Sequence, residues 1–300
     1  MHDAKDPSGV RRQAMLAGFG AIALWGALAT LSVLAGPVPP FQMVAMTFTV
    51  GAALGIGRAR RRGVAWRALA RWPAPVWALG VGGLFGYHAL YFAALQLAPP
   101  AEANLVNYLW PLLIVLLSAP LAAKSESVRL GWTHLAGALL GFAGVVLLAF
   151  GRGLDFAGGH WLGYALALGC AVTWSLYSVL SRRVGETPTD AIAAFCAAAA
   201  VLSLACHLLF EPTVWPASPI AWLAVLALGI GPTGGAFYLW DHAVKKGDIR
   251  ALGAASYATP ILSTALLIAC GLAQPTSALL VAALLVTAGA ALASREMWKR

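Results

Sequence analysis

Tyr108-Leu-Trp-Pro111 stands 149 residues ahead of Tyr257-Ala-Thr-Pro260, and the same offset lays Gly80, Gly82 and Gly86 on Gly229, Gly231 and Gly235. Without a gap it also pairs Gly20 with Gly169, Trp25 with Trp174, Ser32 with Ser181 and Pro39 with Pro188. Coincident Ala or Leu would mean little in so apolar a chain. Coincident Trp, Tyr, Pro and spaced Gly mark an internal repeat. Each copy holds about five apolar segments of membrane length. Five is odd, so the second copy is expected to enter the bilayer the other way up.

Composition points to lipid as the solvent. Of the 300 residues, 60% are hydrophobic and 10% charged, and the mean hydropathy is +0.78. A soluble domain carries about 25% charged residues. Ten spans are predicted: 13–35, 40–57, 74–97, 102–122, 131–150, 160–181, 189–210, 219–243, 250–270 and 275–293. Most suit a helix crossing roughly 30 Å of hydrocarbon. Backbone groups in lipid must pair within their own segment, so helices are expected and open strands are not. The fold class is therefore an all-α integral membrane protein of ten transmembrane helices in two inverted five-helix repeats. Residues 1–12 form a cytoplasmic tail, 13–150 the first repeat and 151–300 the second. Inverted repeats recur in secondary transporters, which bind substrate near the midplane between the copies.

The cations agree with this topology. Lys5, Arg11 and Arg12 precede the first span, and Arg58, Arg60, Arg61, Arg62, Arg67 and Arg71 follow the second. Lys124, Arg129, Arg182, Arg183, Lys245, Lys246, Arg250, Arg295, Lys299 and Arg300 fall in loops or tails on the same side. Of the twenty, Arg152 alone is left for the other face. Such a bias places both termini in the cytoplasm. It also accounts for the net charge of +9 as topology and lipid headgroup contact, without nucleic acid. The first apolar run is too long, and too soon followed by another, for a cleaved signal peptide. Cys170, Cys196, Cys206 and Cys270 lie within spans without metal spacing and are expected to be small apolar residues.

No phosphate loop, H-E-x-x-H or G-x-S-x-G occurs, so no ATP motor or hydrolase motif is present. An enzyme would need a nucleophile and base, or a metal cluster, converging at one depth. None is visible; no cofactor and no metal are expected. The glycines from Gly80 to Gly86 have the wrong spacing for a dinucleotide loop, and close helix packing explains them and their copies better.

Polar residues inside the spans carry the functional signal. Asn104 and Asn107, the chain's two asparagines, share one helix face with Tyr108 and Pro111. Two readings stand: hydrogen bonding between helices, or a cavity lining that binds a polar substrate group. Pro111 and Pro260 each remove a backbone hydrogen bond in mid-span, and two broken helices at matched positions point to a binding site. Tyr87, His88 and Tyr91 lie about halfway across; His88 either packs or meets substrate, and no carboxylate lies at its depth to pass a proton on. Trp174, Tyr177, Ser178 and Ser181 form another stripe, and Trp25 is the repeat mate of Trp174. These deeper indoles, with Trp110, either pack or line an aromatic cavity. Trp66, Trp72, Trp77, Trp215 and Trp222 suit the membrane interface. Asp241 stands four residues before Lys245, as an interfacial ion pair or a gating residue; under the first reading Asp241→Asn should matter little. Glu102 favours the start of its helix.

Ten spans, paired repeats, a Trp early in each copy and Pro in the fourth and ninth helices resemble the drug/metabolite transporter superfamily with its paired EamA-type domains. The stretch Gly86-Tyr-His-Ala-Leu-Tyr-Phe-Ala-Ala-Leu-Gln through Ala103-Asn-Leu-Val-Asn-Tyr-Leu-Trp-Pro-Leu-Leu is similar to YddG-type aromatic amino acid exporters. The resemblance implies an inner-membrane amino acid exporter working by alternating access. It implies a central cavity lined by Tyr87, His88, Tyr91, Tyr108, Trp110 and Trp174.

The expected substrate-binding set is thus Trp25, Tyr87, His88, Tyr91, Asn104, Asn107, Tyr108, Trp110, Trp174, Tyr177, Ser178 and Tyr257, with Pro111, Pro260 and Asp241 as helix-break or gating residues. Tyr and Trp would hold the side chain of an aromatic or other neutral amino acid; Asn104, Asn107 and His88 would meet its amino and carboxylate groups. The expected partners are that substrate and the lipid bilayer, with no nucleic acid and a monomeric chain. The alternative, export of drugs or lipophilic cations, requires a cavity carboxylate, for which only Asp241 is available. A nucleotide-sugar carrier would need core Lys or Arg to meet phosphates, and none is present. A membrane scaffold would not need two proline-broken helices flanked by polar stripes.

Overall fold

A computed structural model describes residues 7–121, 130–150, 159–184, 187–272 and 274–295. Lys5, Lys124, Arg129, Arg152, Lys299 and Arg300 of the charge argument lie outside the described residues. Every regular element among the described residues is helical. Seven stretches are long and apolar enough to cross a membrane: Ser8–Ala35, Pro40–Arg61, Ala74–Leu97, Trp161–Leu180, Thr189–Phe210, Pro219–Lys246 and Ile249–Ala269. Glu102–Ser118, Trp132–Leu147 and Leu280–Ala293 are shorter apolar helices. Large side chains such as Leu208, Leu209 and Phe210 stand more than 70% exposed, as expected where lipid covers them.

The helices are α1 (Pro7–Gly26), α2 (Leu28–Ala35), α3 (Pro40–Arg61), α4 (Trp66–Ala70), α5 (Ala74–Val81), α6 (Tyr87–Leu97), α7 (Pro100–Asn107) and α8 (Trp110–Ser118). They continue as α9 (Trp132–Phe150), α10 (Trp161–Leu180), α11 (Ile192–Phe210), α12 (Pro219–Ile230), α13 (Ala236–Lys246), α14 (Ile249–Ala255), α15 (Ala258–Ala269) and α16 (Ser277–Ser294). Residues 7–12, expected in the tail, already belong to α1. The four most extensive pairings are α9 with α16, α3 with α11, α1 with α13 and α6 with α10. Each joins a helix from the first half of the chain to one from the second.

Proline explains two interruptions. Pro111 lacks the N–H that would bond to the Asn107 carbonyl, and its ring crowds that carbonyl. The helix ends at Asn107, turns through Tyr108 and Leu109, and restarts as α8 with Pro111 in its first turn. Pro260 does the same to Ser256: α14 ends at Ala255 and α15 begins at Ala258. Both breaks fall about three residues before the proline.

The glycine runs form π turns. Gly82–Gly86 joins α5 to α6 and Gly231–Gly235 joins α12 to α13, at the 149-residue offset. The expected close packing holds at Gly80, where an added Cβ would lie 2.5 Å from the Phe195 ring, and at Gly229, 2.5 Å from Val50 Cβ. It does not hold at Gly82 or Gly86, where nothing lies within 4 Å. Those two instead occupy the widened turn, a geometry that recurs at functional sites.

The arginine-bearing ends are tied together across the chain's halves. The Asp248 carboxylate caps α14 by accepting from the Arg250 and Ala251 amides, and it pairs with Arg250 and Arg11 at 3.0 and 2.9 Å. Burial alone would raise the Asp248 pKa. Arg250, the Ala251 amide and Arg11 outweigh it and hold the carboxyl below its ordinary 3.8. A depressed carboxyl contributes stability that is full above the unfolded-state value and is lost as pH falls through the folded one. Thermal melting in detergent should therefore fall off below about pH 4, and Asp248→Asn should lower the neutral-pH melting temperature while flattening that acid limb. An unchanged acid limb in the variant would refute this assignment.

Candidate functional site

Between the two proline breaks and the second π turn lies a cavity of about 580 Å³, within the usual range for a small-molecule site. Its floor is a cluster of indoles. Trp25 stands 5.6 Å from Trp174, 6.2 Å from Trp110 and 5.1 Å from Trp240, ring centre to ring centre. The Trp25 indole N–H donates to the Pro232 carbonyl inside the second π turn at 3.0 Å. Trp240 is fully buried beneath this layer and donates to Ser178 Oγ at 3.0 Å. Phe237 packs on Trp174 at 5.7 Å and on Phe48 at 5.6 Å.

One wall belongs to α6 and α7. Tyr87 and Tyr91 stack with centroids 6.1 Å apart, one helical turn from each other. Tyr91 donates to Asn104 Oδ1 at 2.6 Å. Asn107 Nδ2 donates to Tyr87 Oη at 3.1 Å, which leaves Asn107 Oδ1 buried without a partner. His88 Nδ1 lies 2.7 Å from the Leu84 carbonyl, in the π turn. A carbonyl only accepts, so Nδ1 carries the proton and Nε2 of the neutral ring is an acceptor. The opposite wall is the start of α15, with Thr259, Pro260, Ser263 and Thr264. Thr264 donates to the Pro260 carbonyl at 2.8 Å, whereas Thr259 Oγ1 is buried without a partner.

Of the residues expected from sequence, Trp25, Tyr87, His88, Tyr91, Asn104, Asn107, Tyr108, Trp110, Trp174 and Pro260 line this one cavity. Tyr177, Ser178 and Tyr257 do not. Tyr177 lies under Trp174 at 5.2 Å, Ser178 holds Trp240, and Tyr257 packs against Phe142 and Gly141. Pro111 is buried behind the lining. Trp110, out of phase with Asn104 and Tyr108 on an unbroken helix, reaches the cavity because the turn at Tyr108 and Leu109 interrupts that helix. Thr259, Ser263, Phe237 and Trp240 were missed. The first two stand at i and i+4 around Pro260, a stripe that the repeat could have exposed.

Asp241 lies away from the cavity. Its carboxylate is 2.8 Å from Lys245 Nζ and accepts from Thr189 Oγ1 at 2.7 Å. The pair predicted at i, i+4 is present, but it is buried, with side chains 4% and 7% exposed. Breaking one side of a buried pair costs about 3–5 kcal/mol, so Asp241→Asn should lower the melting temperature clearly. Its competition series among amino acids should match wild type; a reordered series would instead bring Asp241 into recognition. Glu102, in the first turn of α7, accepts from the Tyr164 hydroxyl.

No carboxylate, Lys or Arg is found among the described lining residues, and no metal-binding group of His, Cys, Asp or Glu occurs among the described residues. The site offers flat apolar surface below and neutral hydrogen-bonding groups at the side. Such a site accepts a small molecule with an apolar body and a polar end.

Similar proteins point the same way. The aromatic amino acid exporter YddG of Ancylobacter novellus is 54% identical over 286 residues, covering 95% of this chain and 98% of that protein. The aromatic amino acid exporter YddG of Salmonella typhimurium is 26% identical over 173 residues, 55% of this chain and 57% of that one. One solved crystal structure superposes with a TM-score of 0.89 at 54% identity, over 95% of this chain and 98% of the other. The profile of the EamA-like transporter family matches residues 12–150 and again 161–295. The chain belongs to the EamA-like transporter family.

Proposed function

We propose that this protein exports aromatic and other neutral amino acids across the inner, cytoplasmic membrane by alternating access, as a monomer. In this reading ten spans form two inverted five-helix repeats, residues 13–150 and 151–300, with both termini cytoplasmic. The observation that carries it is the cavity: an indole floor drawn from both halves of the chain, beside an amide oxygen and a hydroxyl with no protein partner. The Ancylobacter relative, an aromatic amino acid exporter by name, supports the substrate class. Export of lipophilic cations is disfavoured, because Asp241 is paired with Lys245 away from the cavity.

The cavity rim includes Ser32, Gly36 and Pro40. Pro40 begins α3, and Arg58, Arg60 and Arg61 end it. With the arginines at the cytoplasm, the cavity opens outward. To open inward, the cytoplasmic ties must part: Arg11 with Asp248, Arg62 with Asp190, and Arg182 with the Val244 and Gly247 carbonyls. The test is uptake of a panel of labelled amino acids into liposomes holding the purified protein, with and without a pH gradient. Saturable uptake of aromatic amino acids supports the reading, and its response to the gradient reports proton coupling. Folded protein that moves no amino acid faster than empty liposomes would sink it.

A further inference from the structure

We infer that the two helix breaks divide the recognition of an α-amino acid between them: Asn107 Oδ1 receives the ammonium group and the Thr259 hydroxyl donates to the carboxylate. The inference rests on the amino acid exporter reading and assigns roles within that site. Three polar candidates on the α6–α7 wall must first be sorted by what is already occupied. Asn104 Oδ1 is taken by Tyr91 and His88 Nδ1 by Leu84, which leaves His88 with Nε2 as its one acceptor. Asn107 Oδ1 has no partner, although Asn107 is only 4% exposed. Across the cavity Thr259 is 9% exposed, and its hydroxyl too has no partner. An unmade hydrogen bond at a buried polar atom is costly. Both residues line one cavity, where a ligand would complete them.

The chemistry of the two groups differs in the required sense. The unpartnered atom of Asn107 is its carbonyl oxygen, an acceptor that suits an ammonium, and Thr259 has a hydroxyl proton to give to a carboxylate. The helix ends agree. Asn107 is the last residue of α7, where the helix dipole is negative, and Thr259 lies in the first turn of the 12-residue α15, where it is positive. Asn107 and Thr259 line the same cavity, one on each wall. The polar end of the substrate would bridge the two breaks, while its side chain rests on the indole floor.

Group deletion on both sides of the contact tests this. Counterflow of labelled L-tryptophan in proteoliposomes would be competed by L-tryptophan, by tryptamine, which lacks the carboxylate, and by indole-3-propionate, which lacks the ammonium. Hydrogen bonds to charged groups imply roughly a tenfold or greater loss on removal. Thr259→Val should weaken L-tryptophan and indole-3-propionate by that factor and leave tryptamine unchanged; Thr259→Ser should restore wild-type values. Asn107→Leu should weaken L-tryptophan and tryptamine and leave indole-3-propionate unchanged. Equal shifts for all three competitors, no shift for any, or the two patterns exchanged would overturn the division of roles in a protein that still carries tryptophan. A wild-type protein that carries no tryptophan would overturn the exporter reading, and this inference with it.

Discussion

Trp174→Ala should abolish saturable transport. Trp174 is the junction of the cavity floor, with ring centres 5.6 Å from Trp25, 5.6 Å from Tyr87, 5.2 Å from Tyr177 and 5.7 Å from Phe237. It is also 4% exposed, so truncation opens a hole that its neighbours can fill only in part. Trp→Ala in a core costs about 3–5 kcal/mol. Binding and folding must therefore be measured together, by counterflow and by thermal melting of the same preparation. Trp174→Phe separates them: it keeps an aromatic surface and most of the packing, and should retain flux with weaker preference for the largest substrates. Folded Trp174→Ala protein that transports at the wild-type rate would show that the floor does not touch substrate.

A large loss of stability is expected at Gly137, which does not line the cavity. Helices α9 and α16 meet backbone to backbone there. A Cβ on Gly137 would lie 2.5 Å from the Gly289 carbonyl and 2.9 Å from the Ala293 amide. Both atoms are main chain, so no rotamer change relieves the clash and the helices must separate. Overpacking usually costs about 1–3 kcal/mol; Gly137→Val should reach or pass the upper end, lowering the melting temperature and the folded yield. Protein that does fold should keep the wild-type order of substrates, since neither glycine lines the cavity. Gly57→Ala, where nothing lies within 4 Å, is the control and should melt like wild type. A Gly137→Val protein as stable as wild type would mean that this pair of helices is not held in contact.

Helical stripes read from a sequence show which residues share a face, not how far along the axis that face serves one purpose. Trp174, Tyr177 and Ser178 of α10, with Ser181 at its C-cap, lie on one stripe spanning about 10 Å at 1.5 Å per residue. Trp174 alone among them reaches the cavity; Tyr177 supports it from below, Ser178 holds Trp240, and Ser181 bonds back to the Tyr177 carbonyl. Trp240 gave no signal of its own, because it neighbours Asp241 and His242 near a span end and looks interfacial until α13 packs against α1.

What the sequence determined by itself was the helical class and the places where helices fail. Apolar runs of membrane length dictate helices, since lipid offers backbone groups no other partner, and proline removes a particular bond wherever it sits. Both are local chemistry, carried by residues a few positions apart. Which polar groups line one cavity was decided by the tertiary structure alone. Asn107 and Thr259 are 152 positions apart in the chain, and on the Asn107 wall Tyr87, Tyr91 and Leu84 engage Asn107 Nδ2, Asn104 and His88. Hydrogen-bond satisfaction is a property of the packed assembly, in which each donor taken by one residue is denied to another.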